Sequence, residues 1–142
     1  MKHEKSCGVI ALKNIESKLY VLLVQQTAGH WGFPKGHVEG NETEHETAIR
    51  ETKEETNIDV EILEGFREKS TYSPFPGITK DVIFFLAIPK SFDLKKQPGE
   101  TDVVEWVIAK EALVNKITYD ADREILEKAI DYYINHHWEY KK

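Results

Sequence analysis

The sequence predicts a mixed β-sheet held between helices, a fold of the α/β or α+β class. Three observations carry that expectation. Strand-patterned runs open the chain, an acidic helical stretch interrupts them, and further apolar runs lead into an amphipathic closing helix. No repeat, low-complexity tract or linker divides the chain, and at 142 residues it has the size of one domain, expected over residues 1–142.

Taken in order, residues 6 to 12 and 19 to 26 read as strands joined by a turn around Asn14 to Lys18. The loop from Thr27 to Lys35 carries Gly29, Gly32 and Pro34 and leads into a Glu-rich helix. Residues 58 to 72 read as one long strand broken near Gly65, and Ser73-Pro74-Phe75-Pro76-Gly77 as a turn or loop. The run from Lys80 to Ile88 predicts a buried strand and Val103 to Ile108 another, followed by a short helix from Lys110 to Asn115. Asp120 or Asp122 opens the last helix, where Ile125, Leu126, Ala129, Ile130, Tyr133 and Ile134 recur at core spacing.

Composition excludes several function classes. No apolar run reaches the 18 residues of a membrane span, and the N-terminus lacks the apolar core of a signal peptide. The single Cys7 lies in a strand-like run, where packing is the expected role, and it fits a reducing cytoplasm. The net charge of −6 is concentrated: residues 39 to 55 hold seven Glu against Arg50 and Lys53, which is −5. A charge so placed argues against duplex nucleic acid and for a cation pocket through which anionic phosphates are bridged.

The helical stretch explains how. Asn41 or Thr43 can cap it, and Glu42, Glu44 and Glu46 fall where the helix dipole favours carboxylates. At 3.6 residues per turn Glu44, Glu51, Glu54 and Glu55 fall within an arc of roughly 100°, beside a thin apolar stripe of Ala48, Ile49, Thr52 and Thr56. Asn57 stands where a helix ends in a left-handed residue. The plain alternative is a solvated acidic face. Against it, Glu51 and Glu55 are like charges at i,i+4, which costs about 0.2–0.5 kcal/mol without structural return. Arg50 is set to offset Glu46 and Glu54, one turn away on either side, but not Glu51 or Glu55. Clustered hard oxygens of this kind suit Mg²⁺, Mn²⁺ or Ca²⁺ better than zinc.

The segment from Gly36 to Ile58 resembles the Nudix box: Gly, five residues, Glu, seven residues, Arg-Glu, an apolar residue, any residue, Glu-Glu, any residue, Gly and an apolar residue. Gly36, Glu42, Arg50, Glu51, Glu54, Glu55 and Ile58 match; Thr52 stands at an apolar position and Asn57 at the second glycine. The element order resembles the Nudix α/β/α sandwich over nearly the whole chain. Flanking residues narrow the resemblance to asymmetrical dinucleoside tetraphosphate hydrolases. They are Trp31, the Pro34-Lys35-Gly36-His37 run, Cys7-Gly8-Val9-Ile10, Glu64-Gly65-Phe66, Lys80, and Glu100 six residues before Trp106. The Pro-Lys-Gly part is shared with other branches, including enzymes that trim 5′-triphosphates from RNA.

That resemblance implies roles residue by residue. Glu51, Glu54, Glu55 and the Gly36 carbonyl would hold catalytic divalent cations, Mg²⁺ with Mn²⁺ as a substitute. Glu100 would be a further carboxylate that holds a metal or takes a proton from the attacking water, and Arg50 would orient the box with Glu42 as its partner. His30, Lys35 and Lys80 would contact the phosphate chain, while Tyr72 and Tyr119 would stack a base. The chemistry needs these types: a cation activates water and neutralises phosphate oxygens, a carboxylate accepts the proton, and lysines add positive charge. The implied function is metal-dependent hydrolysis of a small-molecule nucleotide polyphosphate, diadenosine tetraphosphate to ATP and AMP. Alternatives are another Nudix pyrophosphohydrolase, acting on nucleoside triphosphates, ADP-ribose or RNA 5′ ends, and a non-catalytic nucleotide sensor. Trp31, Trp106, His136, His137 and Trp138 are expected to pack or to lie on the surface.

Overall fold

In the computed structural model, residues 2–26, 29–96 and 101–136 are described. Strand β1 (Lys2–Ile15) turns into β2 (Lys18–Gln26) through Glu16 and Ser17, both with left-handed φ. Two short strands, β3 (Trp31–Gly32) and β4 (Lys35–His37), precede helix α1 (Glu44–Thr56). Then come β5 (Val60–Phe75), β6 (Ile78–Pro89), β7 (Thr101–Ile108), a short helix α2 (Ala109–Glu111) continuing into a π-helical stretch (Ala112–Lys116), and α3 (Asp120–His136).

The strands join in the order β3-β2-β1-β6-β5, with β4 on β1 and β7 on β2. β1 and β6 run parallel from Lys2↔Ile78 to Ala11↔Ala87, and the other pairings are antiparallel. The sheet is therefore mixed, as the sequence predicts. Strict alternation then loads both faces. Cys7, Val9, Ala11, Leu22, Ile83, Phe85 and Ala87 pack toward Ala48 of α1. Ile10, Leu12, Val21, Leu23, Val82, Phe84 and Leu86 pack toward Ile125, Leu126, Ala129 and Tyr133 of α3. Cys7 is fully buried, and burial first, then the Glu44 charge, pushes its thiol up to about 11; it is a packing residue.

Several boundaries move. The expected turn at residues 73 to 77 tightens to Pro76 and Gly77, because β5 continues to Phe75. The break expected near Gly65 is real. The β5–β6 register shifts between Ile62 and Arg67, Gly65 has φ 97°, and a β-carbon there would stand 2.0 Å from the Tyr132 hydroxyl. That hydroxyl donates to the Glu64 carbonyl at 2.8 Å, so the bulge is where α3 grips the sheet. The helix expected from Lys110 to Asn115 forms, but most of it is π-helical.

No helix among the described residues is long and apolar enough to cross a membrane.

Candidate active site

Helix α1 begins at Thr43 rather than Asn41. The Thr43 hydroxyl accepts from Glu46 N–H at 3.1 Å, and Thr43 N–H donates to the Glu46 carboxylate at 2.8 Å, a reciprocal capping box. Asn57 ends the helix in the left-handed conformation at φ 68°, as expected. The buried face differs from the expected stripe. Ile49 is exposed, whereas Thr47, Ala48, Thr52, Glu55 and Thr56 turn inward. Thr52 and Thr56 satisfy their hydroxyls on the carbonyls one turn back, at 2.8 Å and 2.7 Å, so their methyls can pack.

Arg50 is the hub of this helix. Its guanidinium clasps Glu42 through Nε at 2.6 Å and Nη2 at 3.0 Å, and donates from Nη1 to Glu51 at 2.9 Å and Glu54 at 3.2 Å. Nη2 also donates to the His37 carbonyl at 3.0 Å, tying α1 to β4. The expected offset of Glu46 does not occur, because Glu46 is engaged in the cap. Glu42 additionally accepts from Glu39 N–H and the Thr47 hydroxyl. Arg50 first, then that backbone N–H, holds the Glu42 carboxyl at about 2. The fork shape of Arg suits this bidentate grip.

Glu44, although in the same arc, serves another purpose. It receives Arg67 at 2.9 Å and 3.0 Å and Lys5 at 2.9 Å, which staples the first turn of α1 to β5 and β1. Glu55 is 6% exposed and belongs to the buried face of the helix.

Gly36 meets Glu51 directly. A β-carbon on Gly36 would lie 2.0 Å from Glu51 Cδ. Gly8 answers it on β1, where a β-carbon would strike the Pro34 carbonyl at 2.1 Å, so the segment entering β4 can lie against β1 only over a bare glycine. The donor set of Glu51, Glu54, Glu55 and the Gly36 backbone is all hard oxygen, the chemistry a small divalent cation selects. Among the described residues no three acidic, His or Cys side chains converge as a closed metal cluster. Arg50 Nη1 already bridges Glu51 and Glu54, and Glu100 lies outside the described residues.

The expected substrate contacts gather in a cavity of about 410 Å³ on the opposite, α3-side face, lined by His30, Lys35, Tyr72 and Tyr119 among others. The Tyr119 hydroxyl bonds His30 Nδ1 at 2.7 Å, and the rings meet edge to face at 5.2 Å. Phe84, itself packed edge-on against Phe33 at 5.1 Å, belongs to the same wall. Lys80 does not line the cavity. It pairs across strands with Tyr72, two residues from the lining Val82, and so sits at the rim of the same face. Burial, then the neighbouring Lys35 charge, pulls the Lys80 ammonium below its ordinary range. Trp31 packs against the core as expected and also lines the cavity, while Trp106 packs beneath Lys13 Nζ at 4.1 Å. His136 stacks on Tyr132, whereas His137 and Trp138 lie outside the described residues.

β4 joins the two groups. Its residues alternate, Lys35 toward the cavity and Gly36 toward Glu51, and among the described residues only β1 pairs with it. One wall residue was not foreseen: Asp122, whose place in the opening turn of the last helix reads from sequence as capping.

The chain is similar to known proteins over most of its length. The NUDIX domain model matches residues 2–129. A bis(5′-nucleosyl)-tetraphosphatase [asymmetrical] of Sus scrofa is 35% identical over 120 residues, 76% of this chain and 81% of that one. The Caenorhabditis elegans protein of the same name is 40% identical over 114 residues, 77% of this chain and 82% of its own. The crystal structure of a C. elegans Ap4A hydrolase binary complex superposes with a TM-score of 0.83 at 30% identity, covering 93% of this chain and 98% of that one. With a capped acidic helix set against Gly36 of β4 and a family match over most of its length, the chain belongs to the Nudix family and is a Nudix hydrolase.

Proposed function

We propose that this Nudix hydrolase cleaves dinucleoside polyphosphates asymmetrically, converting diadenosine tetraphosphate to ATP and AMP. The observation that carries the proposal is the aromatic and cationic cavity of His30, Lys35, Tyr72 and Tyr119, one strand away from the Gly36–Glu51 contact. A base stacks on the tyrosines, and the phosphate chain crosses the outer edge of β4 past Lys35 and Lys80 toward α1. Relatives named for this activity, at 35% and 40% identity, support the same reading.

Glu51, Glu54, Glu55 and the Gly36 carbonyl would hold Mg²⁺, or Mn²⁺ in its stead, with Glu100 as a further ligand or as the base. When bound, the cation lowers the pKa of water and neutralises phosphate oxygens. The chain's own residues do the rest. Arg50 fixes the angles of Glu51 and Glu54, Lys35, Lys80 and His30 balance phosphate charge, and a carboxylate accepts the proton from water. A water oxygen bonds to one phosphorus while the bridging P–O bond to its neighbour breaks, and ATP and AMP separate. Buried, unpaired Cys7 fits a reducing cytoplasm as the compartment.

Incubation with diadenosine tetraphosphate and Mg²⁺, with products separated by ion exchange, tests the proposal. Equimolar ATP and AMP are expected; two ADP per substrate, or no turnover, would overturn it. Selective turnover of nucleoside triphosphates, ADP-ribose or triphosphorylated RNA ends would assign a different pyrophosphohydrolase. Tight binding without turnover would indicate a sensor.

A further inference from the structure

Asp122 stands in the cavity wall together with Tyr72, Tyr119 and Lys35. Its Oδ2 lies 3.3 Å from where a Gly32 β-carbon would be, so the carboxylate sits close against β3. Burial raises its proton affinity, offset by the charges of Lys35 and Arg123, and no hydrogen bond from a described residue contributes. Asp120, two residues earlier, does the local work instead by pairing with Arg123, which also holds the Ile117 carbonyl. Asp122 is thus not consumed in holding the helix end. A carboxylate half-removed from water, beside aromatic rings and with no hydrogen-bond donor among the described residues, is set to receive donors from a ligand.

We propose that Asp122 reads the exocyclic amino edge of the nucleobase in this cavity, which makes the pocket selective for amino-bearing bases over their carbonyl counterparts. The inference rests on the substrate class proposed above and adds to it the residue that chooses the base. Stacking on tyrosine is nearly blind to base identity, because every base offers a π-face. Selectivity therefore needs an edge contact. Adenine presents N6–H₂, and guanine presents N1–H beside N2–H₂; a carboxylate accepts from either. Hypoxanthine presents O6 where adenine has its amine, so a carboxylate oxygen placed to accept from N6 would face O6, and the N1–H donor of hypoxanthine lies one ring position further along the edge. Edge contacts of this kind discriminate by about 5- to 150-fold.

The test compares adenosine and inosine forms of the dinucleoside tetraphosphate by kcat/KM, with wild type, Asp122→Asn and Asp122→Ala. Wild type is expected to favour the adenosine form by about 5- to 150-fold. Asp122→Asn should bring the ratio close to one, since an amide donates to O6 as readily as it accepts from N6. Asp122→Ala should do likewise, with weaker binding of both. A structural role for Asp122 would lower both substrates equally and leave the ratio unchanged, which overturns the proposal, as does a wild-type ratio near one. Equilibrium binding of ATP and ITP to wild type and Asp122→Asn reads the same ratio without turnover. If neither tetraphosphate is hydrolysed but ATP outbinds ITP and Asp122→Asn removes the difference, the substrate assignment falls and the base reader stands. Binding of neither nucleotide overturns both.

Discussion

Gly36 and Glu51 touch: a β-carbon on the glycine would lie 2.3 Å from each oxygen of the carboxylate. The obstructing atoms are the end of a flexible side chain, so the contact constrains the carboxylate more than the fold. Gly36→Ala is therefore expected to fold, with a melting temperature within a few degrees of wild type. The methyl would push the carboxylate aside and break its bond to Arg50 Nη1. Displacing a ligating or orienting group typically costs 10- to 100-fold in metal affinity or activity, and turnover should fall by about that factor. Steady-state assays beside a thermal melt check both halves. Full activity in a folded Gly36→Ala protein would move the site away from Glu51.

Glu55 is buried on the inward face of α1, 6% exposed. Glutamine keeps its shape and removes its charge. Glu55→Gln is expected to lower kcat by about 10²- to 10⁴-fold, the range for a metal-bound or proton-accepting carboxylate. Circular dichroism should remain that of the wild type. An unchanged rate would exclude Glu55 from the chemistry.

Acid sensitivity should arise from the staples of α1 rather than from its buried face. The Arg67 hydrogen bond first, then Lys5, holds Glu44 at about 2, well under its ordinary 4.5. A depressed folded-state value means that the unfolded chain takes up its proton first as pH falls. The stabilisation is therefore complete above about 4.5 and is lost on the way down to about 2. Glu44→Gln cannot titrate here, so it should melt below wild type at pH 7, with the gap closing as pH drops from 5 toward 3. Melting curves of both proteins across that range decide it; a gap that does not narrow would show that Glu44 acts through shape alone.

Most of the fold and half of the site were legible along the chain, for a physical reason. Alternation and helical period are local, so the strands around Val9, Leu22 and Phe85 and the helix around Leu126 declare themselves. So do the cap at Thr43 and the left-handed Asn57, whose chemistry is complete within four residues. Long-range pairing is not local. Nothing near Glu44 reveals that Lys5 and Arg67 will claim it, and of the two partners that spacing gives Arg50 only Glu54 forms, because the capping box takes Glu46 and the guanidinium reaches Glu51 instead. Ile49 looked apolar enough to be buried, but Thr47, Thr52, Glu55 and Thr56 took the inner face instead, with the Thr47 hydroxyl donating to Glu42. Asp122 was hidden in the same way, since the opening turn of a helix accounts for an acid by itself.

Tyr72 and Tyr119 look alike in the sequence, yet the structure gives them different surroundings, and their variants should differ accordingly. Tyr72 is 47% exposed on β5 and makes no ring contact with another aromatic group among the described residues. Its phenol pKa is raised, by burial first and then by the charges of Tyr119 and Asp122 across the cavity. Its face is open to a base, and loss of one stacking partner costs about 1–3 kcal/mol, or roughly 5- to 150-fold in KM. Tyr72→Ala should raise KM within that range and leave kcat within a few-fold. Tyr119 instead carries the 2.7 Å bond to His30, a residue proposed to meet phosphate. Tyr119→Phe keeps the ring and cuts the tether, so KM for the base should change little. The freed imidazole should lower kcat several-fold, with a larger loss on the tetraphosphate than on a shorter chain that does not reach His30. Full KM and kcat determinations on both variants separate the two roles, and a kcat collapse in Tyr72→Ala, or a KM-only effect in Tyr119→Phe, would reverse the assignment.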